Sequence, residues 1–168
     1  MLLDRPCSRW LWPSFASRRI GEASNPGPDV TDQVYRILSA NVTAANSSWP
    51  LIVNLAWDVA LLQESRLGLD SQVYADIRRR GWRVLAGQLA ADGSSLVMMV
   101  FRFGAVTALQ LGSDPRLQGA LWSPGGRSHF RLYNLYGVAD GSEAARVHVS
   151  GLARQCLVDS ESAGCMRR

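Results

Sequence analysis

Lysine is missing from this chain: all eighteen of its Lys and Arg positions are arginine. The formal charge of +4 is therefore carried by guanidinium groups alone, a choice that reflects coding bias more than design, although arginine suits phosphate contacts. The positives are scattered and only Arg78-Arg79-Arg80 forms a run, so the charge is a weak signal for nucleic acid. Cysteine is scarce too. Cys7, Cys156 and Cys165 lie far apart near the two ends, which excludes a zinc-ligand spacing and a disulfide framework. Long apolar runs are also lacking. Trp10, Leu11 and Trp12 are bracketed by Pro6 and Pro13, so neither a signal peptide nor a membrane span is supported. His129 and His148 are the only histidines; one starts an expected strand and the other lies in an expected helix, and both read as surface or packing residues.

What is present is ordinary for a folded domain. With 168 residues, 47% hydrophobic and 19% charged, the chain can build one domain with a real core plus tails. Residues 1–33 read as a disordered leader rich in Pro, Ser, Gly and Arg. Its Asn25-Pro26-Gly27-Pro28 is a turn sequence that links the leader to the first strand. The same words resemble the end of ribosome-skipping peptides, but Gly21 and Ala23 stand where those peptides carry acidic residues.

From Val34 the pattern alternates. Val34 to Val42 reads as a strand ending in Asn41. Ser47 and Ser48 offer caps for a helix through Trp49 to Leu55 that tolerates Pro50 in its first turn. Val59 to Leu62 is a short apolar run, the mark of a strand buried on both faces, and it delivers Gln63 and Glu64 to its C-terminal end. Ligands bind at that end of open α/β sheets. A buried carboxylate there requires a cation, a donor or water, since an unpaired buried charge costs several kcal/mol; a strand that ends polar merely because it reaches the surface is the simpler alternative.

Asp70 caps an expected helix from Gln72 to Arg80, closed by Gly81, with Val73, Tyr74 and Ile77 on its inner face. Trp82 to Ala86, Ser95 to Phe101 and Ala105 to Leu109 read as strands. Leu117 to Trp122 and His129 to Tyr136 flank Pro124-Gly125-Gly126 as a hairpin, and a last helix runs from near Ser142 toward Cys156. The order predicts a mixed α/β sheet rather than a pure doubly wound one.

Five blocks in order, Ile37 to Val42, Asp58 to Ser65, Gly81-Trp82, Ser94 to Val100 and Leu132 to Gly137, resemble the endonuclease/exonuclease/phosphatase superfamily, and within it the apurinic/apyrimidinic-type endonuclease domain of non-LTR retrotransposons. The leader also resembles segments that precede such retroelement reading frames in some protist genomes. The likeness spans Val34 to Arg146 and implies a catalytic trio. Glu64 matches the glutamate that binds the catalytic magnesium, Asn41 the asparagine that helps hold metal and phosphate, and Tyr136 the tyrosine that hydrogen-bonds the scissile phosphate. Mg2+ or Mn2+ is the implied cofactor and DNA the implied partner.

The family's Gly-Asp-Phe-Asn-like and Ser-Asp-His-like blocks, which position the attacking water and orient the nucleophile, have no counterpart here. The expectation is therefore a truncated half of a four-layer α/β sandwich, a mixed β-sheet with flanking helices over 34–149, followed by a divergent helical or disordered tail over 150–168. Two functions stay open. One is a retroelement-derived, metal-dependent DNA endonuclease-like domain that is catalytically impaired. The other is a non-catalytic module that binds a protein partner, a second copy or nucleic acid through an exposed inner sheet face and its arginines. Either implies an intracellular chain, nuclear where the retroelement role is kept.

Overall fold

Val59 to Leu62 forms the start of a nine-residue strand around which a computed structural model of the chain is built. The structure describes residues 34–68, 70–125, 128–137 and 141–165, so the leader and its Asn25-Pro26-Gly27-Pro28 lie outside the described residues. The first strand β1 (Ile37–Asn41) runs parallel to β2 (Val59–Leu67), with Asn41 beside Gln63. Between them lies α1 (Ala45–Ile52). After α2 (Gln72–Arg79) come β3 (Arg83–Ala86) and β4 (Ser95–Phe101), and sheet A has the order β1-β2-β4-β3, one parallel pair and two antiparallel ones. The mixed sheet expected from the element order is thus present.

A second sheet was not expected. β5 (Ala105–Leu109), β6 (Leu117–Gly125) and β7 (Ser128–Leu135) form an antiparallel sheet B of their own. Side chains alternate across each strand, and the alternation distributes them among three cores. On sheet A, Ala60, Leu62, Met98 and Val100 face α1 and α2, where they meet Trp49, Ile52, Val73, Tyr74 and Ile77. The opposite face presents Val59, Met99 and Phe101 to Ala120, Trp122 and Leu132 of sheet B. The far face of sheet B packs Leu117 and Tyr133 against Leu152 of α3 (Glu143–Cys165). The result is a helix, sheet, sheet, helix sandwich in miniature. It corrects the expectation of an exposed inner face. Met99 and Phe101 are fully buried on that face, and each side chain so enclosed stabilises by about 1.5–3 kcal/mol, which an open face would forfeit.

Local chemistry explains the remaining differences. α1 begins at Ala45 with Ala44 as a cap that makes no side-chain bond; Ser47 and Ser48 lie inside the helix and donate to Ala44 O and Val42 O. Pro50 therefore sits in the helix body rather than its first turn. α2 is capped by Ser71, whose Oγ accepts from Val73 N at 3.2 Å, and not by Asp70. α3 continues unbroken past residue 149 to Cys165, so the expected start of a divergent tail falls within one helix.

The helix layer is pinned by Asp76. Its carboxylate accepts from Trp49 Nε1 at 2.8 Å, Arg80 Nε at 2.8 Å and Arg79 Nη2 at 2.5 Å. These donors, Trp49 first, hold the carboxyl far below the usual aspartate range. Asp76→Ala leaves the Trp49 N–H without its partner and is expected to cost about 2 kcal/mol at neutral pH. A lowered folded pKa means that the contribution is complete above the unfolded value, near 3.9, and is lost as pH falls toward the folded one. Urea titrations should show the gap between native and variant chains closing as pH drops below about 4; a gap independent of pH would contradict the assignment.

Candidate functional site

The ends of β1 and β7 converge on one carboxylate of β2, Glu64, which lies inside that strand just past its parallel pairing with β1 rather than at its end as the sequence suggested. Asn41, the last residue of β1, donates from Nδ2 to Glu64 Oε1 at 2.7 Å, and the hydroxyl of Tyr136, the residue after β7, donates to the same oxygen at 3.0 Å. Thr43 N in turn donates to Asn41 Oδ1 at 3.2 Å, fixing the amide's orientation. All three residues singled out from the sequence therefore touch.

Backbone shape places Glu64 there. Between the paired positions Gln63/Val97 and Leu67/Ser95, β2 advances four residues while β4 passes two, so β2 carries a bulge. Glu64 (φ 53°) and Arg66 (φ 47°) both adopt the left-handed region in it, and Thr43 (φ 54°) does so across from them. This conformation is costly for non-glycine residues, by about 1–3 kcal/mol each, and concentrates at functional sites. Beneath the bulge, Ser65 is buried and donates to Ser95 O at 2.7 Å.

A buried polar clasp supports the rim. Asn134, 1% exposed, donates from Nδ2 to Leu62 O and Met98 O, each at 3.1 Å, while its Oδ1 accepts from Gln63 Nε2 at 2.6 Å. It bolts sheet B to the two central strands of sheet A, directly below Glu64 and two residues before Tyr136. The sequence signal for this role was a polar residue at an inward position of an otherwise apolar strand.

The hydrogen bond from Asn41, and then that from Tyr136, favours the charged carboxylate and lowers the Glu64 pKa; Arg66 adds a smaller pull. The Tyr136 phenol moves the other way, raised by desolvation and by its bond to Glu64. Removing a donor should reverse this. Asn41→Ala is expected to bring the Glu64 pKa up toward its ordinary value, and Tyr136→Phe to do so by less. Carboxyl titration by NMR would read both, and an Asn41→Ala pKa equal to the native one would refute the order of causes.

The donor set admits a hydrated hard cation. Glu64 Oε1 is used twice, Oε2 has no partner among the described residues, and magnesium binds through as few as one or two carboxylates while keeping waters. Among the described residues no three His, Cys, Asp or Glu side chains gather for a cage-like site. The histidines stand elsewhere: His129 Nδ1 pairs with Ser123 Oγ at 2.6 Å, and His148 Nε2 lies 2.9 Å from Asp114 Oδ2.

No family model and no curated protein matches the sequence. Solved structures do match. A 3'-5' exonuclease (NExo) from Neisseria meningitidis aligns at 21% identity and TM-score 0.55, covering 79% of this chain and 53% of that one. The 3' phosphatase NExo from Neisseria bound to a product DNA hairpin gives 21% identity and TM-score 0.56 over 80% and 54%. The endonuclease domain of TRAS1, a telomere-specific non-LTR retrotransposon, gives 17% identity and TM-score 0.50 over 70% and 52%. The chain spans about half the length of these structures, and over that span it shares their α/β sandwich fold.

Proposed function

We propose that this chain carries the metal- and phosphate-holding side of a divalent-metal-dependent DNA phosphodiesterase, an endonuclease-like domain of retroelement derivation whose own catalysis is impaired. The observation that carries the reading is the meeting of Asn41, Glu64 and Tyr136 on one carboxylate oxygen at the C-terminal end of a parallel strand pair. Glu64 would hold Mg2+ or Mn2+ with Asn41 beside it, and Tyr136 would donate to a phosphoryl oxygen of a bound phosphodiester. When bound, the ion supplies charge neutralisation on the phosphodiester. The likeness to a phosphatase captured with a DNA hairpin supports DNA as the substrate class.

Impairment follows from what does not reach the carboxylate. Among the described residues only Asn41 and Tyr136 bond Glu64, and no Asp or His joins them to activate water. That same observation favours the second reading, a module that binds DNA without cutting it. A protein partner across the inner sheet face has lost its basis, because sheet B covers that face. No described helix is long and apolar enough to cross a membrane.

Nicking of supercoiled plasmid, and of a duplex with one abasic site, with and without Mg2+ or Mn2+, tests the proposal. Slow, metal-dependent nicking is the expected result. Metal-dependent DNA binding without nicking would support the second reading, and metal-independent cleavage would defeat both.

A further inference from the structure

We infer that Arg66 and Arg116 form a phosphate clamp flanking Glu64, two guanidinium groups that hold backbone phosphates of a nucleic acid; the inference rests on the phosphodiesterase reading and adds residues that the family likeness did not supply. Arg66 follows Glu64 by two residues and is exposed in the same left-handed bulge (φ 47°). Arg116 lies on the opposite sheet at the start of β6, where its carbonyl accepts from Tyr136 N at 2.9 Å. One arginine thus neighbours Glu64 along β2, and the other, just before β6, neighbours Tyr136 through its backbone.

Neither side chain has a partner among the described residues. Elsewhere Arg79 and Arg80 bind Asp76, Arg131 binds Asp159, and Arg102 donates to Val53 O and Leu55 O while stacking on Trp57 and Trp82. Arg66 and Arg116 make no side-chain hydrogen bond or ion pair among the described residues, and Arg116 Nε is enclosed with nothing to donate to. Of the nearby carboxylates, Asp114 is committed to Arg116 N at 2.8 Å and to His148, while Asp92 gives Oδ1 to Ser94 N and Oγ at 2.9 and 2.7 Å and forms no ion pair with Arg66. Electrostatics agree, since both arginines act on Tyr136 and Arg66 also acts on Glu64. A planar fork of donors at a site with one carboxylate suits a phosphate, which it can grip through two parallel bonds.

The test is fluorescence anisotropy of a labelled 12-base-pair duplex with the full chain in EDTA, titrated over salt. Each phosphate contact contributes about 0.9 to the slope of log affinity against log salt. Arg66→Ala and Arg116→Ala should each flatten the slope by about 1 and the double variant by about 2, while Arg116→Lys keeps the slope because it keeps the charge. Arg83→Ala, whose strand position pairs with Phe101 at the far end of sheet A, should match the native chain. Arg66 is exposed, so its variant decides the matter even where Arg116→Ala unfolds the chain. An unchanged slope in Arg66→Ala overturns the clamp. Flattened slopes together with undiminished Mn2+ binding by Glu64→Gln would uphold the clamp and reject the metal reading.

Discussion

Glu64→Gln should abolish metal-dependent nicking and metal binding while leaving the fold intact. The substitution keeps shape and leaves Oε1 able to accept from Asn41 Nδ2 and Tyr136 OH, so the hydrogen-bonded rim survives. What disappears is the charge, and a single amide oxygen is a poor substitute for a carboxylate toward a hard divalent ion. Mn2+ affinity, followed by electron paramagnetic resonance, is expected to fall by more than the roughly 10- to 100-fold that loss of a supporting hydrogen bond costs at metal sites. Asn41→Ala provides that comparison within the same protein. Equal Mn2+ affinity in native and Glu64→Gln chains would remove the ion from the mechanism.

Asn134→Leu is expected to be the most destabilising single change. Leucine is close in volume, so the loss is one of hydrogen bonds rather than of packing. Leu62 O and Met98 O each lose a donor at a position 1% exposed, while Gln63 Nε2 loses its 2.6 Å acceptor but keeps Ser39 Oγ and Leu61 O at 3.3 Å. Buried groups left unsatisfied cost about 1–3 kcal/mol each, giving a total on the order of 4 kcal/mol. Thermal unfolding should shift down by on the order of 10 °C. A variant that melts with the native protein would show that the clasp merely decorates two sheets already held by Trp122, Phe101 and Met99.

The three residues that meet at the rim were named from the sequence, as was the mixed sheet, and the second sheet was not. Val59 to Leu62 announced a buried strand and placed Glu64 at its polar end by local pattern alone, whereas the roles given to Glu64, Asn41 and Tyr136 came through resemblance to a family. That pattern could not say where β2 ends. Glu64 and Arg66 leave strand geometry within the strand, and the apolar run stops before Ser65 and Leu67, both of which are buried. Sheet membership was hidden for a different reason. Leu117 to Trp122 reads as a strand in either sheet, and its place opposite Phe101 depends on contacts far away in sequence. The α1 boundary failed because its cap is backbone at Ala44, which leaves no side-chain mark. Arg66 and Arg116 were invisible among eighteen arginines, since only the fold shows which ones have been left without a carboxylate.

The bulge in β2 also has a mechanical meaning. Pairing with β4 would close more simply without its surplus residues, so the ladder itself has no use for them. They lift Glu64 out of the ladder while the residues on either side of Arg66 stay anchored: Ser65 is buried and bonded to Ser95 O at 2.7 Å, and Leu67 is fully buried. The carboxylate is thus held from below by the sheet that carries it and gripped from the side by Asn41 and Tyr136, a seat fixed from two directions.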